Sequence, residues 1–420
     1  CTIVRNLRGA PVDYPIRPIT AEEAPAFFES NAIGFGHDPR PAESIASTLK
    51  YADLSRSISA WDESQVVGTA GTWTFDMSTP GGSVPCGGLT WVTVLPSHRR
   101  RGILTAMMRY QLDQVRDRGE PIAALWASES QIYGRFGYGM AAEGVELMSI
   151  NRTRAELRHA PSFSGRTRYV DRATALATFP AVWEAVRQQR PGMHNRTPGW
   201  WENRTFRDPQ WPPPPGFSSL LNVQYEEDGK VLGYLRYRVK EEDANGWAAN
   251  TLRINSLLAT TDAAYSALWQ HAFGVDLIET IEAEWRPVDE PLYHMLADSR
   301  RLLHRPQDTL WVRIVDVPRA LEARRYAVDG ELVIDITDSF CPWAAGRYLL
   351  AAGPGGATCV PTTREPDLAT SINELGALYL GGTAAWPLAR AGRITGSAEA
   401  VARADAMFAW NPKPWAPEVW

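Results

Sequence analysis

Residues 92–104 have the types and spacing that could do chemistry. The segment ends a β-branched run at Val92, Thr93 and Val94, passes through a basic loop, and opens an amphipathic helix at Gly102. Such a turn directs successive backbone N–H groups to one point, and a helix N-terminus adds about half a positive charge. The segment therefore predicts a phosphate or pyrophosphate site. A solvated basic turn before a helix is the alternative that the loop alone leaves open.

Two well-known nucleotide-binding loops do not fit this segment. A Walker A loop ends in Gly-Lys-Ser/Thr, which a nucleoside triphosphate and its magnesium ion require, and residues 92–104 lack that ending. The glycine spacing of a Rossmann fingerprint is missing as well. The segment therefore predicts a phosphate-containing ligand that neither of these two motifs serves.

A β-β-loop-helix-β order must position the basic loop. The β-branched and aromatic runs 65–75 and 88–95 are separated by a Pro/Gly-rich turn, which predicts antiparallel neighbours. Apolar residues then recur at helical spacing over 103–115, and Gly119 supplies a C-terminal cap. Residues 121–127 follow as a short buried strand.

The preceding residues extend this α/β pattern toward the N-terminus. Residues 15–60 predict a strand followed by helices. Thr20 is the expected N-cap of a first helix that starts at Ala21, because Glu23 stands at the third helical position of a capping box.

The same order of elements returns in the second third of the chain. Its two strands, helix and third strand are predicted over residues 230–239, 251–258, 263–273 and 277–285. Asp262 is the expected helix cap. From Val66 to Leu89 is 23 positions, and from Val231 to Leu252 is 21. Shared order and spacing predict a duplicated unit, with a chance match as the alternative.

The last third has a different pattern. Strands are predicted at 310–314, 332–336 and 348–350, with shorter helices after them, which indicates a separate α+β domain. The proline run 211–216 is expected to be a rigid extended connector. The predicted domains span residues 1–150, 151–306 and 307–420.

Composition limits the class of protein. The 420 residues are 44% hydrophobic and 22% charged, which predicts a soluble folded protein of two or three domains. Lys+Arg 43 against Asp+Glu 48 gives a formal charge of -5, and residues 98–101 form the one dense basic block. This balance argues against a nucleic-acid partner.

Targeting and cysteine patterns point to the cytoplasm. No apolar run reaches the roughly 18 residues of a membrane span, and the N-terminus has no signal-peptide pattern. Cys1, Cys86, Cys341 and Cys359 are scattered, so neither a zinc site nor a disulfide framework is indicated. We expect a cytoplasmic protein with reduced thiols, no membrane partner and no metal.

The neighbours of the basic loop resemble motif A of the GNAT superfamily, the acyl-CoA-dependent N-acyltransferases. Residues 94–102 (VLPSHRRRG) and 128–139 (SESQIYGRFGYG) resemble the enhanced intracellular survival (Eis) acetyltransferases more specifically, as do residues 378–382 (LYLGG). The resemblance spans nearly the whole chain. It implies two tandem GNAT-like units, the second degenerate, followed by an α+β domain similar to sterol carrier proteins, within the α/β (α+β) class.

The resemblance implies acetyl-CoA, or another acyl-CoA, as the co-substrate. The residues implied in binding it are Val92, Thr93, Val94, Arg99, Arg100, Arg101, Gly102, Ile103, Leu104, Thr105, Ser128 and Glu129. Leu104 stands where GNAT loops often have Gly or Ala, but backbone N–H donation does not need that side chain. Asp262 opens the matching helix of the second unit and would repel a diphosphate, so only the first unit should bind CoA.

Amide formation needs a neutral amine, a polarised thioester carbonyl and a proton for the departing thiolate. By resemblance Tyr133 is the general acid, and a phenol with a pKa near 10 stays protonated at neutral pH. The C-terminal carboxylate of Trp420 is the implied base, since an α-carboxyl pKa of about 3.5 keeps it ionised. Residues 411–420 are proline-stiffened and aromatic, which suits a tail tucked into a pocket. A fraying end is the alternative.

The acceptor is the least determined part of the site. Trp91 is expected to face it, with Trp73 and Phe75 as walls, unless these rings are strand core. Relatives that take aminoglycosides bind them with acidic side chains, and His37-Asp38 occupies the approximate place of one such acid. Glu418, two residues before the end, is a second candidate. His98 as base and Cys86 as nucleophile are set aside.

The predicted function is acetyl transfer to amino groups of a small polyamine or aminoglycoside-like acceptor. A longer-chain N-acyltransferase of natural-product biosynthesis, a lysine acetyltransferase, and a hydrophobic-ligand carrier with an inactive GNAT unit remain as alternatives. The resemblance also implies a homo-oligomer, specifically a hexamer.

Overall fold

The computed structural model describes residues 14–207 and 216–420. Cys1 and nearly all of the expected proline connector, residues 211–215, lie outside this range. The chain divides into two compact units. Of the described residues, the first unit contains 14–142, 309–410 and Trp420, and the second contains 143–207, 216–308 and 411–419.

Residues 14–142 form the first part of the first unit. The strands are β1 (Ile16–Pro18), β2 (Ser57–Asp62), β3 (Gln65–Thr79), β4 (Gly82–Val94) and β5 (Ile122–Trp126). The helices are α1 (Ala24–Phe35), α2 (Ala42–Leu49), α3 (Ile103–Asp117) and α4 (Ser130–Tyr133). Strands β3 and β4 pair antiparallel, and β4 pairs parallel with β5. The predicted β-β-loop-helix-β order is confirmed.

Helix α3 forms because its apolar residues repeat at helical spacing. Ile103, Met107, Leu112 and Val115 lie on its buried face. Gly119 adopts φ +71° just beyond the helix, as predicted for a glycine cap.

The predicted start of α1 is wrong by one turn. The helix begins at Ala24, and Thr20 makes no cap bond to it. The Glu23 carboxylate does accept a hydrogen bond of 2.9 Å from the Thr20 N–H, which is one of the two bonds of the predicted capping box, and it pairs with Arg17. The hydrogen bond from Arg17 lowers the pKa of Glu23 to about 2. Pro25, in the first helical turn, suits a later start because it lacks an N–H to donate.

The second unit repeats the topology of the first. Its strands are β6 (Gly139–Asn151), β7 (Arg166–Val170), β8 (Leu221–Glu227), β9 (Lys230–Lys240), β10 (Asp243–Ala244), β11 (Trp247–Ala248), β12 (Asn250–Ala259) and β13 (Ile278–Pro287). Its helices are α5 (Arg172–Arg187), α6 (Pro198–Trp200), α7 (Asp262–Gly274) and α8 (Leu292–Met295). Strand β12 pairs antiparallel with β9 and parallel with β13, as β4 does with β3 and β5.

The predicted cap of α7 is corrected by one residue. Thr261 has the extended backbone of an N-cap, and its Oγ1 accepts from the Ala264 N–H at 3.1 Å. Asp262 is already helical. Sequence alone could not separate the two, because both residue types are good caps.

Residues 309–410 complete the first unit, and the strand that leads into them starts at Leu303. The strands are β14 (Leu303–Ile314), β15 (Gly330–Thr337), β16 (Gly346–Gly353), β17 (Gly356–Pro361), β18 (Leu368–Ser371) and β19 (Ile394–Gly396). The helices are α9 (Val317–Glu322), α10 (Ile372–Leu378), α11 (Ala385–Arg390) and α12 (Ala398–Phe408). Strands β15 to β19 form their own sheet. Residues 310–314, which we expected to open the C-terminal domain, pair instead with β5.

A buried ion pair fixes the connection between α3 and β5. Arg56, just before β2, donates two hydrogen bonds of 2.7 Å to the Glu120 carboxylate. The two side chains are 0% and 5% exposed.

No helix among residues 14–207 and 216–420 is long and apolar enough to span a membrane.

Replacing Arg56 by Met should destabilise the first unit by about 3–5 kcal/mol, because Glu120 would remain as a buried charge without its partner. Denaturant unfolding measures the change. Arg17→Met, at the exposed pair with Glu23, is the control and should cost less than about 1 kcal/mol. Equal losses in the two variants would contradict the importance of burial.

Candidate active site

A cavity of about 550 Å³ lies where β4 ends and α3 begins. All of the residues predicted to bind CoA line it, except Arg101, and so does Tyr133. Five further lining residues were missed by sequence reasoning: Gly34, Phe35, His98, Ile132 and Arg135. Gly34 and Phe35 come from the end of α1, whose place beside β4 is a tertiary fact without a local sequence signal.

The cavity lies where the parallel strands β4 and β5 separate. Pairing of β4 with β5 stops at Leu89 and Leu125, whereas β4 continues to Val94 against β3. The register between β3 and β4 shifts at this point, and Trp91 adopts φ +54°. A bulge of this kind bends a strand and ends regular pairing on one side. Residues 92–94 therefore present a free strand edge to the cavity.

The basic loop leaves the start of α3 open to an anion. Gly102 is the N-cap residue with φ +84°, and no side chain caps the helix. Arg100 also has a positive φ, of +64°. Successive N–H groups in such a turn, together with the helix N-terminus, form an anion-binding concavity. Arg101 donates to the Tyr14 hydroxyl at 2.6 Å and does not line the cavity.

Tyr133 ends α4 and is 5% exposed. Burial raises the pKa of its hydroxyl to about 12, against a smaller lowering by Arg135. The ring lies edge-on to Tyr138, with 6.1 Å between ring centroids. Tyr133 is therefore a neutral donor on the wall of the cavity at physiological pH.

The segment after Tyr133 is held by the C-terminal part of the first unit. The Asn373 Nδ2 group donates to the Gly134 carbonyl at 2.6 Å and to the Tyr138 carbonyl at 2.9 Å. A Cβ on Gly139 would lie 1.7 Å from the Asn373 carbonyl oxygen, so only glycine fits there. Helix α10 thus clamps both ends of the turn that follows Tyr133.

Trp420 is buried in the first unit at 7% exposure. The Thr90 hydroxyl donates to its main-chain oxygen at 2.9 Å. The Trp420 ring lies edge-on to Phe75, with 5.2 Å between centroids. Trp420 is therefore packed against β3 and β4 and does not fray.

The aromatic residues expected around the acceptor form a packed cluster. Trp91 lies 5.1 Å from Phe28 and 4.8 Å from Trp73 between ring centroids, and Trp73 stacks on Tyr51. Neither Trp91 nor Trp73 lines the cavity at β4. Trp73 is buried and Trp91 is half-buried in this cluster, and their place beside the acceptor stays a prediction.

The other residues that the sequence analysis considered for the site lie in different environments. His37 and Asp38 are exposed after α1, and His37 stacks on Phe35, a lining residue of the cavity. His98 contacts Asp62 and Ser97 through its two ring nitrogens, each at 2.9 Å. Burial raises the pKa of Cys86 well above its usual range, which agrees with setting it aside as a nucleophile.

Glu418 was expected to bind a cationic acceptor, but its carboxylate contacts other side chains of the protein. Within the second unit its carboxylate contacts Arg196 Nε at 3.0 Å and His194 Nε2 at 2.9 Å, and accepts from Trp200 Nε1 at 3.2 Å. Burial opposes ionisation, yet Arg196 and His194 outweigh it and lower the pKa of Glu418. The carboxylate is neutralised by protein partners, so the prediction that it holds a cationic acceptor is corrected.

Comparison with known proteins agrees with this architecture. Residues 15–141 and 192–314 each match a GNAT acetyltransferase domain, and residues 317–417 match a sterol carrier protein domain. An uncharacterized N-acetyltransferase of Streptomyces avermitilis is 39% identical over 405 residues, covering 96% of this chain and 98% of that protein. N-acetyltransferase Eis of Mycobacterium tuberculosis is 38% identical over 82% of this chain and 84% of its own length. This chain belongs to the Eis family.

A solved Eis-family structure has the same fold. Eis1 from Mycobacterium abscessus superposes with a TM-score of 0.83 at 31% identity, covering 97% of this chain and all of that one. The predicted family, the fold class of two GNAT domains with a sterol-carrier-type domain, and the enzyme class are confirmed. The protein is an acyl-CoA-dependent N-acetyltransferase of the Eis type. Its cavity at β4 joins a cationic, uncapped helix start to a free strand edge.

Gly102→Val should weaken acyl-CoA binding by at least about tenfold, because a β-branched residue does not tolerate φ +84° and the loop must rearrange. Titration calorimetry with acetyl-CoA measures it. Gly229→Val is the matched control, with φ +73° in the turn between β8 and β9 and open space around it. The assignment is overturned if Gly102→Val binds as tightly as Gly229→Val.

Proposed function

We propose that this Eis-family enzyme acetylates amino groups of a small polyamine or aminoglycoside-like acceptor by direct attack on acetyl-CoA. The observation that supports the proposal most strongly is one cavity lined by the uncapped start of α3, the free edge of β4 and the buried Tyr133 hydroxyl. Release of free CoA with a panel of amines is the direct test. No release with any polyamine or aminoglycoside would contradict the acceptor class.

The first unit alone binds CoA in this proposal. Arg99, Arg100 and the N–H groups that follow Gly102 hold the pyrophosphate, since α3 starts without a side-chain cap. In α7 the equivalent N–H bonds to the Thr261 hydroxyl, and Asp262 adds a negative charge. That helix start is both occupied and repulsive to a diphosphate.

The reaction is a balanced acyl transfer. The acceptor nitrogen forms a bond to the thioester carbonyl carbon, the carbon–sulfur bond breaks, and the acceptor loses a proton. Tyr133 donates to the departing sulfur, and its raised pKa, about 12, keeps the hydroxyl protonated at neutral pH. The intact loop and Tyr133 favour an enzyme over a carrier with an inactive GNAT unit.

The carboxylate of Trp420 accepts the amine proton, directly or through water. Support comes from its position on β4, the strand that also lines the cavity. The Thr90 hydroxyl donates to it at 2.9 Å, and the buried indole rests on Phe75. A base must be held in place to act in this way, and a packed chain end meets that requirement.

Tyr133→Phe should lower kcat by about 10²–10⁴ with acyl-CoA affinity nearly unchanged, because it removes the proton donor and little volume. Steady-state CoA release and calorimetry measure the two quantities. Tyr138→Phe is the control on the same segment, since its buried hydroxyl has no hydrogen-bond partner among the residues described. Equal turnover in wild type and Tyr133→Phe would remove the general-acid role.

Appending a few residues after Trp420 should abolish most turnover while folding and CoA binding persist. The extension replaces the carboxylate by an amide and moves the charge away from β4. Deleting Trp420 should do the same, because the new carboxylate lies on Val419 and the indole is lost. A tag before Cys1 is the control and should be harmless. An extended protein with full turnover would place the base elsewhere.

A further inference from the structure

The Trp420 carboxyl group receives one hydrogen bond from a side chain of the cavity strand. Thr90 is 6% exposed and Trp420 7% exposed, and the Thr90 Oγ1 atom lies 2.9 Å from the Trp420 main-chain oxygen. Hydrogen bonds stabilise a buried carboxylate and are directional, so this hydroxyl contributes to the orientation of the group. We infer that Thr90 is a positioning residue that aims the Trp420 carboxylate at the acceptor amine, an inference that rests on the proposed function.

The Thr90 hydroxyl is aimed by the bulge in β4. Thr90 is paired with Gly71 and Thr93 with Thr69, so Trp91 and Val92 together face the single residue Ala70. The extra residue breaks the alternation of side chains along the strand. Without the bulge, the residues on either side of it would be aimed differently.

Two buried side chains lock the bulge. The Trp91 carbonyl accepts from the Thr69 hydroxyl at 2.6 Å and from the Asn31 Nδ2 group at 3.0 Å. Thr69 also contacts the Thr93 hydroxyl at 3.0 Å. The same network therefore fixes Thr90, which holds the base, and Thr93, which lines the cavity.

Close packing around the bulge leaves little freedom for Thr90. A Cβ on Gly71 would lie 2.5 Å from the Trp91 ring and 3.3 Å from the Thr90 Cγ2 atom, so β3 has glycine where the bulge presses against it. Thr90 pairs with Gly71 on β3, and the Trp420 ring packs edge-on against Phe75.

Thr90→Val keeps the shape of the side chain and removes the donor. It should lower kcat by about 10- to 100-fold, the effect of a misplaced catalytic group, with the KM for acetyl-CoA unchanged. Thr90→Ser retains the hydroxyl and should stay within about threefold of wild type, whereas Thr90→Ala should behave like Thr90→Val. Thr72→Val, the same change at a buried threonine of β3, is the matched control.

A double-variant cycle separates this inference from the proposed function. In a protein extended beyond Trp420 the carboxylate is already gone, so Thr90→Val should cause no further loss of turnover. If the extension itself is harmless, the proposed base is wrong. If the extension inactivates but Thr90→Val and Thr90→Ala keep wild-type kcat, the base stands and the positioning role of Thr90 is overturned. Additive losses would also overturn it.

Discussion

The site depends on one structural event, the separation of β4 from β5 after Leu89 and Leu125. Parallel strands bond to each other as long as their backbones stay in register, and a bulge bends a strand and can end that pairing. The bulge at Trp91 does so while β4 keeps its bonds to β3. It opens a free strand edge, leads into the anion-binding loop, and sets the direction of the Thr90 hydroxyl that contacts Trp420.

Burial raises the pKa of both Tyr133 and Glu418, but the net pKa shifts of the two groups are opposite. Burial raises the pKa of Tyr133 by more than Arg135 lowers it, so the hydroxyl stays a proton donor. Glu418 is shielded as well, but Arg196 and His194 keep it ionised and engaged. Position near the chain end does not by itself make a carboxylate free to bind a substrate. The ion-pair partners of Glu418 already occupy its carboxylate.

The C-terminal part of the first unit has a structural task at the GNAT site. Asn373 donates to the Gly134 and Tyr138 carbonyls, and the Gly134 carbonyl also accepts from the Gly137 N–H within the turn. Strand β14 extends the first sheet by pairing with β5. The first GNAT fold is thus completed by residues that follow it by more than 170 positions in sequence, counted from Tyr138 to Thr309.

The local sequence determined the elements that are encoded by short-range periodicity and turn residues. The amphipathic spacing of α3, the paired strands 65–75 and 88–95, the cationic loop and the duplicated order all follow from periodicity and turn chemistry. Helix caps at Thr20 and Asp262 were missed by one turn and one residue, because capping residues cluster and only backbone geometry chooses among them.

Tertiary structure alone decided which distant residues contact each other. Phe35 reaches the cavity from α1, Trp91 packs against Phe28 and Trp73, Glu418 pairs with Arg196, and Trp420 bonds to Thr90. Each outcome joins residues far apart in the chain, where side-chain packing and desolvation, which no local pattern encodes, select the partner.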